Sequence, residues 1–512
     1  MLSSGKETNG HSQVSSMEST CGDVNHLNKH ACACVLAATI ISAIFGYVTT
    51  VMAGALLFIK EELEISDMQV QLLAGILNAC ALPACMIAGR LSDYIGRRYT
   101  IMLSSIFFFL GSILMGYGSS FPILMIGRCI AGFGVGFALI IVSVYSAEIS
   151  SPSYRGFLTS LPDLSINIGF LLGYLSNYFL GKLSLRLGWR IMLAIPSIPS
   201  IGLVILMLQL VESPRWLVMQ GRLGDAKKVL LLISNSKQEA EQRMKEIKNA
   251  VGIDENCTQN IVHVSKKTRS GGGALKEMFY KPSPHVYRIL IAAIGVHIFQ
   301  NICGVEGIFL YSPRIFGRMG ITDKGTLLLA TVGIGISQTL FTLLSCFLLD
   351  KIGRRILLLV SSGGVIFSML GLCVCSAIVE NSKLGEEPLW AIIFTIIVIY
   401  IMAGFNAIGI GAVTWVYSTE IFPLRLRAQG LGVCVIMNRI TNVAVVTSFI
   451  SIYKTITLGG TFFLFVGTNV LGWWFYYSFL PETKGRSLED METIFGKNSN
   501  SEVQMKYGSN NA

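Results

Sequence analysis

The sequence GRLSDYIGRR at residues 89–98 recurs in shortened form as LLDKIGRR at residues 348–355. Each copy lies between two long apolar runs. A charged Asp-x-x-Gly-Arg-Arg loop at the same place in both halves indicates that the chain arose by duplication of a membrane-spanning unit.

Two further motifs recur in the same order. Glu148 in the first half corresponds to Glu420 in the second, and Glu212 corresponds to Glu482. Unrelated basic loops that follow membrane-orientation rules would explain the arginines, but not the shared order and spacing. Repeats of this kind are typical of secondary transporters, in which the binding site lies between the two halves.

The composition places the chain in lipid. Of its 512 residues, 52% are hydrophobic and only 14% are charged, whereas charged residues make up about a quarter of a soluble domain. Runs of about 20 apolar residues, each able to cross the hydrocarbon core as a helix, lie at about 31–59, 70–89, 99–118, 121–146, 157–180, 189–211, 287–312, 326–349, 356–379, 389–418, 428–453 and 459–480. We therefore expect an all-α membrane protein with twelve transmembrane helices in two six-helix, pseudo-symmetric halves.

The hydrophilic stretches predict five parts. These are an N-terminal tail, an N-terminal half, a bridge, a C-terminal half and a C-terminal tail, at residues 1–30, 31–211, 212–286, 287–480 and 481–512. Both tails are polar, and the first lacks the apolar core of a cleaved signal peptide.

The net charge of +10 is spread over short loops rather than gathered into one patch, so we expect no nucleic acid partner. Most loop arginines fall on one side of the membrane, and the acids Glu61, Glu62, Glu64 and Asp67 fall on the other. The positive-inside rule then predicts that the bridge and both termini are cytosolic.

Charged residues gather at the predicted cytosolic ends of the helices, where carboxylates and guanidinium groups can pair in one conformation and separate in another. We expect these residues to form a cytosolic gate. Alternatively, the arginines only set the orientation and the acids are solvated. The gate candidates are Asp93, Arg97, Glu148, Arg155, Glu212, Arg215, Asp350, Arg354, Glu420 and Arg425.

Polar side chains within the apolar runs are the candidates for a binding site. Gln300, Asn301 and Glu306 lie in the seventh run, and polar groups there are costly unless they face a cavity or a partner. Amide side chains both donate and accept hydrogen bonds, as each sugar hydroxyl does. The alternative for each residue is a hydrogen bond between helices. His297 in the same run is interpreted as structural.

These motifs together resemble the sugar-porter branch of the major facilitator superfamily from about residue 31 to 496. Further segments resemble its plant polyol and monosaccharide transporters, namely INIGFLLGY at 166–174 and WLVMQGRLGDA at 216–226. The motifs behind the branch resemblance are the duplicated loop, Arg128, Glu148, ESPRWL at 212–217, QNICG at 300–304, Trp415, EIFP at 420–423 and PETKG at 481–485.

The resemblance implies the major facilitator fold and a sugar or polyol as substrate. Asp163, Trp415, Asn438 and Asn442 match the family's sugar-contacting positions, and Trp415 would pack against the C–H face of a sugar ring. Asn438 and Asn442 are also one helical turn apart and so face the same way.

One position departs from the resembled pattern. Proton-coupled members carry Gly-Tyr-Asp in span 1, and that aspartate pairs with the arginine of span 4. Here the matching run is GYVTT at 46–50, and Val48 cannot carry a proton. Arg128 must therefore find backbone carbonyls, water or another carboxylate, and Asp163 and Glu306 are the intramembrane acids available.

These observations predict a secondary transporter that moves a monosaccharide or polyol by alternating access in a lipid bilayer, with the plasma membrane as its expected location. The resemblance implies proton symport, while Val48 favours an uncoupled carrier. A second alternative is a sugar sensor with a transporter fold. The sequence contains no nucleotide loop, metal-ligand cluster or nucleophile-base pattern, so we expect neither an enzyme nor a cofactor.

Overall fold

The computed structural model of the protein describes residues 28–151, 155–254, 257, 259–262, 284–381, 389–422 and 426–484. Eleven helical segments in this part of the chain are long and apolar enough to span a membrane. The last of them changes direction at Ile456 and Thr457, where the backbone is not helical, and so contains two spans. The prediction of an all-α protein with twelve spans is confirmed.

The N-terminal half contains seven helices that form six spans. The sixth span is divided in two at Pro196, which directly precedes its second helix. The helices are α1 (Lys29–Leu63), α2 (Asp67–Ile95), α3 (Arg97–Gly116), α4 (Phe121–Ile149), α5 (Arg155–Leu180), α6 (Leu185–Ala194) and α7 (Ser197–Met207).

Three shorter helices of the bridge follow, namely α8 (Pro214–Met219), α9 (Leu223–Ile233) and α10 (Lys237–Val251). They pack on the N-terminal half. Arg243 of α10 donates hydrogen bonds to the carbonyls of Glu148, Ile149 and Ser150 at 3.2, 3.3 and 3.0 Å. Because these carbonyls lie at the end of α4, they have no partner within their own helix, and Arg243 satisfies them. We call this end of the molecule the bridge side and the opposite end the far side.

The C-terminal half repeats the six spans with more interruptions. Gly304 divides the seventh span, a π-helical turn at Ala407–Gly411 interrupts the tenth, and one long helix contains the eleventh and twelfth. The helices are α11 (Pro284–Ile302), α12 (Val305–Leu310), α13 (Ser312–Arg318), α14 (Lys324–Ile352), α15 (Arg354–Asn381), α16 (Leu389–Asn406), α17 (Ala412–Ile421) and α18 (Arg427–Phe479).

The duplicated loop has the same backbone in both halves. Gly96 separates α2 from α3 with φ of 104°, and Gly353 separates α14 from α15 with φ of 105°. L-residues with a side chain rarely adopt this φ. A Cβ atom at Gly96 would also lie 2.4 Å from a carboxylate oxygen of Glu212, and one at Gly353 would lie 2.9 Å from Glu482. The glycine of the repeated motif is therefore required for the backbone and for the carboxylate that sits on it.

The two halves meet along two pairs of helices. α2 packs against α18, and α5 packs against α14. Polar contacts cross both pairs, since Gln71 accepts a hydrogen bond from Ser451 at 2.9 Å and Thr339 donates to the carbonyl of Asn167 at 3.1 Å. The predicted polar site residues Gln300, Asn301, Asn438 and Asn442 lie beside the α2–α18 contact.

Candidate functional site

The break in the seventh span positions two of the predicted site residues. α11 ends at Ile302, directly after Gln300 and Asn301, and Gly304 follows with φ of 80°. Gln300 donates to the carbonyls of Ile410 and Gly411 in the π-helical turn of span 10 at 3.3 and 3.5 Å. The amide at the end of α11 thus contacts the irregular part of another span.

Span 11 supplies two further amides to the same place. Asn438 donates to the side-chain oxygen of Gln300 at 2.8 Å, and Asn442 donates to that of Asn301 at 2.9 Å. Asn438 and Asn442 lie one turn apart on α18, as predicted, and both are buried. The structure therefore brings together four of the predicted substrate-binding residues.

Arg439 and Asn78 also belong to this group, although neither was predicted as a site residue. Arg439 donates to the side-chain oxygen of Asn438 at 2.5 and 3.1 Å and to that of Asn78 at 3.1 Å. Asn78 lies on α2 of the other half and donates to Asn442 at 2.7 Å. We call these six residues the amide cluster: Asn78, Gln300, Asn301, Asn438, Arg439 and Asn442.

The guanidinium group of Arg439 sets the direction of every hydrogen bond in the amide cluster. Because it can only donate, the side-chain oxygens of Asn78 and Asn438 must face it, and their NH₂ groups must face Asn442 and Gln300. Asn442 and Gln300 accept these hydrogen bonds through their side-chain oxygens. Their own NH₂ groups then donate to Asn301 and to the carbonyls of span 10, respectively. Arg439 could have been found from the sequence, because a charged residue within an apolar run usually marks a functional position.

His297 and Trp415 lie against the amide cluster. One ring nitrogen of His297 is 2.9 Å from the hydroxyl of Ser418, and the other is 3.3 Å from the amide of Asn438. The rings of His297 and Trp415 meet edge to face, with centroids 5.0 Å apart. His297, interpreted from the sequence as structural, thus holds both Trp415 and Asn438 in position.

The two predicted intramembrane acids occupy different surroundings. Glu306 lines a cavity of about 30 Å³ together with Arg128, Asn78 and Asn442. Asp163 lies on α5 on the side of α14, where its backbone carbonyl accepts from Asn167 at 3.0 Å. The structure gives the Asp163 carboxylate no hydrogen bond to the amide cluster within the described residues.

Arg128 uses backbone carbonyls in place of the carboxylate that the resembled pattern would supply. Its Nη1 donates to the carbonyl of Val48 at 3.0 Å, and its Nε donates to that of Leu73 at 3.3 Å. The residue is 2% exposed. Backbone carbonyls were one of the three predicted possibilities.

The gate residues of the N-terminal half form one connected group on the bridge side. Arg97 pairs with Glu148 at 2.9 Å and with Asp93 at 3.0 Å. Glu212 accepts hydrogen bonds from the backbone amides of Arg97 and Arg98 at the start of α3. It also accepts one from the backbone amide of Ser213, the next residue in the chain. Burial raises the pKa of Glu212 above its ordinary value even though these amides favour the carboxylate. We call Asp93, Arg97, Glu148, Glu212 and Ser213 the N gate.

The C-terminal half repeats the arrangement. Arg354 pairs with Glu420 at 2.8 Å, and Glu482 accepts from the backbone amides of Arg354 and Arg355 at 2.8 and 3.0 Å. Burial alone would raise the pKa of Glu482, but the four backbone amides it accepts from lower that pKa below its ordinary value. We call Arg354, Glu420, Glu482 and Thr483 the C gate.

Four gate candidates either take no part in these pairs or have side chains that lie outside the described residues. Arg215 is exposed at the start of α8. Glu212 accepts hydrogen bonds from backbone amides and not from the guanidinium group of Arg215. The side chains of Arg155 and Asp350 and the whole of Arg425 lie outside the described residues.

Two of the four acids predicted to lie opposite the arginine-rich side, Asp67 and Glu61, join the two halves on the far side. Asp67 at the start of α2 pairs with Lys60 at 2.6 Å and with Arg314 of the other half at 3.2 Å, and it also contacts Lys454. Glu61 pairs with Lys324 at 2.5 Å. The pairs with Arg314, Lys454 and Lys324 must break for the halves to separate on the far side.

Comparison with known proteins places these features in context. Residues 34–495 match a family model described as "Sugar (and other) transporter". The chain is 53% identical to probable polyol transporter 3 of Arabidopsis thaliana over 92% of each chain. It is 50% identical to probable polyol transporter 6 of the same plant, over 92% of this chain and 95% of that protein.

The fold is similar to solved structures of a bacterial transporter. The chain superposes on the proton:xylose symporter XylE with a TM-score of 0.73 at 25% identity, over 92% of this chain and 100% of that one. A partially occluded, inward-open structure of XylE from E. coli also gives a TM-score of 0.73 at 25% identity, over 90% of this chain and 99% of that one.

Proposed function

The chain belongs to the sugar transporter family of the major facilitator superfamily, and from this premise we propose that it moves linear polyols or monosaccharides by alternating access through the amide cluster. It is a multi-pass membrane transporter of sugars or polyols and not an enzyme. In the proposal the membrane is the plasma membrane, and the bridge and both termini are cytosolic.

The observation that carries the proposal is the position of the amide cluster between the halves. Asn78 comes from α2 and the other members come from α11 and α18. Their hydrogen bonds are made to one another, so a polyol can exchange them one for one with its hydroxyl groups. Since the exchange involves groups from both halves, it links binding to their relative movement.

The gates and the far-side ion pairs support alternating access. Asp67 and Glu61 hold the halves together on the far side, while the N gate and the C gate each form within one half. In the proposed cycle the far-side pairs break when the site opens outward, and contacts on the bridge side replace them.

The proposed transport is not coupled to protons through span 1. Arg128 contacts the backbone of Val48, and a valine side chain cannot exchange a proton. Facilitated diffusion is therefore the mode we favour, and proton symport through Asp163 or Glu306 is the alternative. Uptake of labelled polyols and sugars by transporter-deficient cells, with and without an uncoupler, separates the two modes, because only symport concentrates substrate in an uncoupler-sensitive way.

Replacing Gln300 tests the site itself. Gln300→Ala is expected to raise the KM for uptake roughly tenfold at normal surface expression, because a lost hydrogen-bonding amide costs about 1–3 kcal/mol. Gln242→Ala on the exposed face of α10 is the matched control and should leave uptake unchanged. A Gln300→Ala protein with normal transport constants would show that the amide cluster is not the binding site.

Val48→Asp tests the role of span 1. The substitution places a carboxylate beside Arg128, which stabilises its ionised form. The variant is expected to gain a component of uptake that an uncoupler abolishes. Wild-type protein that already concentrates substrate in an uncoupler-sensitive way would contradict the proposed mode.

A further inference from the structure

One chain of hydrogen bonds in the amide cluster crosses between the two halves of the protein. Arg439 donates to the side-chain oxygen of Asn78 at 3.1 Å, and Asn78 donates to that of Asn442 at 2.7 Å. Asn442 donates to Asn301 at 2.9 Å, and Asn301 donates to the backbone carbonyl of His297 at 3.2 Å. Each amide accepts through its oxygen and donates through its nitrogen, so the chain of hydrogen bonds has one direction throughout.

Asn78 is the member of this chain that comes from the N-terminal half. It lies on α2, whereas Arg439 and Asn442 lie on α18. The three side chains are well buried, because Asn78, Arg439 and Asn442 are 7%, 9% and 4% exposed. When the halves move apart, Arg439 loses an acceptor and Asn442 loses a donor. Since polar groups without partners are costly in such surroundings, another group must take the place of the Asn78 amide.

The cavity beside this chain is too small for a polyol while Asn78 is in place. Its volume is about 30 Å³, and both Asn78 and Asn442 line it. A cavity of this volume holds roughly two water molecules. A larger molecule enters only after part of the lining has moved. Because Asn78 and Asn442 belong to different halves, separation of the halves enlarges the cavity beside the groups that lose their partner.

We propose that a vicinal diol of the substrate replaces the Asn78 amide between Arg439 and Asn442, so that Arg439 determines specificity. One hydroxyl group accepts from the guanidinium group, and its neighbour donates to the side-chain oxygen of Asn442. The oxygen and nitrogen of an amide share one carbon, and the hydroxyl groups of a vicinal diol lie on adjacent carbons. Both therefore present an acceptor and a donor side by side. The role in uptake rests on the proposed function, whereas the binding of a diol does not.

Diol binding can be measured without transport in a variant that lacks the amide. Asn78→Ala opens a space between Arg439 and Asn442, and a ligand that binds only the folded state raises the melting temperature. The purified protein is compared in ethane-1,2-diol and in propan-1-ol, which has a methyl group in place of one hydroxyl group. The advantage of the diol is expected to be larger in Asn78→Ala than in wild type and to saturate with concentration. Asn381→Ala, at an exposed position of α15, is the matched control and should behave as wild type.

Replacing Arg439 assigns the effect to its guanidinium group. In the double variant Asn78→Ala with Arg439→Met, the additional stabilisation by the diol is expected to disappear, because methionine provides no donor. In uptake of labelled glucitol, Arg439→Met is expected to raise the KM roughly tenfold to a hundredfold, since a hydrogen bond to a charged group is lost. Arg222→Gln, in the exposed pair with Asp225, should leave the KM unchanged.

The outcomes separate this inference from the proposed function. Stabilisation of Asn78→Ala by the diol, in a protein that carries neither polyols nor monosaccharides, would support the diol site and contradict the transport proposal. An equal response of Asn78→Ala and wild type to the two alcohols would overturn the diol site whatever the uptake assay gives. A stabilisation that Arg439→Met leaves intact would overturn it too. Should Asn78→Ala fail to fold, the KM of Arg439→Met decides, because an unchanged value contradicts the inference.

Discussion

Gly96 and Gly353 hold almost the same backbone conformation, with φ of 104° and 105°, yet the charged groups around them are buried to different extents. The side chains of Arg97 and Glu148 in the N gate are 6% and 9% exposed, and those of Arg354 and Glu420 in the C gate are 12% and 25% exposed. Duplication thus preserved the geometry of the loop, while its surroundings diverged.

The bridge accounts for the difference. Trp216 of α8 donates to the carbonyl of Asp93 at 2.9 Å, and Arg243 of α10 caps the end of α4 beside Glu148. These helices cover the N gate. Burial in turn decides how strongly a charge depends on its partner, because removing one partner leaves the other charge unpaired in a poorly solvated place.

The largest expected effect is the loss of the central arginine. Arg97→Gln leaves Glu148 buried without a guanidinium partner and is expected to destabilise the purified protein by about 3 kcal/mol. Arg354→Gln leaves a more exposed Glu420 and is expected to cost about 1 kcal/mol. Denaturant or thermal unfolding in detergent measures both, and Arg222→Gln in the exposed pair with Asp225 is the control.

The same variants test whether the N gate regulates the cycle rather than binding. Arg97→Gln is expected to slow uptake or to shift the conformational equilibrium while substrate still binds. Equal losses of stability at Arg97 and Arg354 would show that burial by the bridge does not strengthen the N gate. Loss of equilibrium substrate binding with a normal cycle would contradict its role as a gate.

A smaller effect is expected from the two carboxylates that accept backbone amides. The folded state lowers the pKa of Glu482, so its ionised form stabilises the protein above the ordinary pKa of about 4.3, and this stabilisation disappears as the pH falls through the folded-state value. The pKa of Glu212 is raised, so the folded state favours its protonated form, and protonation adds stability as the pH falls through that raised value.

Glu482→Gln is therefore expected to lower the melting temperature at neutral pH, and Glu212→Gln is expected to leave it unchanged or to raise it. The difference in melting temperature between Glu482→Gln and wild type should shrink as the pH is lowered toward about 4.3 and below. Melting temperatures measured across this pH range check both signs. If Glu212→Gln instead lowered the melting temperature at neutral pH, the hydrogen bonds from the backbone amides would outweigh the burial of Glu212 in the N gate as well.

The fold was predictable because its causes are local. Apolar runs of about 20 residues and the repeated loop predict the spans, the halves and the bridge without knowledge of contacts. The break at Thr457 falls in the predicted gap between the runs at 428–453 and 459–480. The interruptions at Gly304 and at residues 407–411 depend on the packing of one span against another. A glycine within an apolar run does not by itself indicate a break, so these two features were not predicted.

The site was predictable in part for a related reason. Gln300, Asn301, Asn438 and Asn442 stand out because each polar group is costly in lipid. The same rule applies to Arg439, which was not predicted although it is a charged residue within an apolar run. Asn78 could not be paired with Asn442 from sequence, since the two residues come from different halves. Glu212 was expected to pair with a guanidinium group, but the positive end of α3 supplies amides instead.

The last comparison concerns the hydroxyl group that completes each gate. Ser213 donates to Glu148 at 2.5 Å and also accepts from the backbone amide of Trp216 at the start of α8. Thr483 donates to Glu420 at 2.6 Å. Ser213→Ala removes two hydrogen bonds, one of them a helix cap, and is expected to cost about 1–2 kcal/mol. Thr483→Val keeps the shape of the side chain, removes one hydrogen bond and is expected to cost about 0.5–1 kcal/mol.

The double variants Ser213→Ala with Arg97→Gln and Thr483→Val with Arg354→Gln sharpen this last comparison. Since hydroxyl and guanidinium groups share one carboxylate in each gate, their effects should not add, and the coupling energy should be larger in the N gate, where the carboxylate is more buried. Unfolding measurements on the four proteins of each cycle give the two coupling energies. Additive effects in the N gate would mean that Ser213 acts only as the cap of α8 and that Glu148 depends on Arg97 alone.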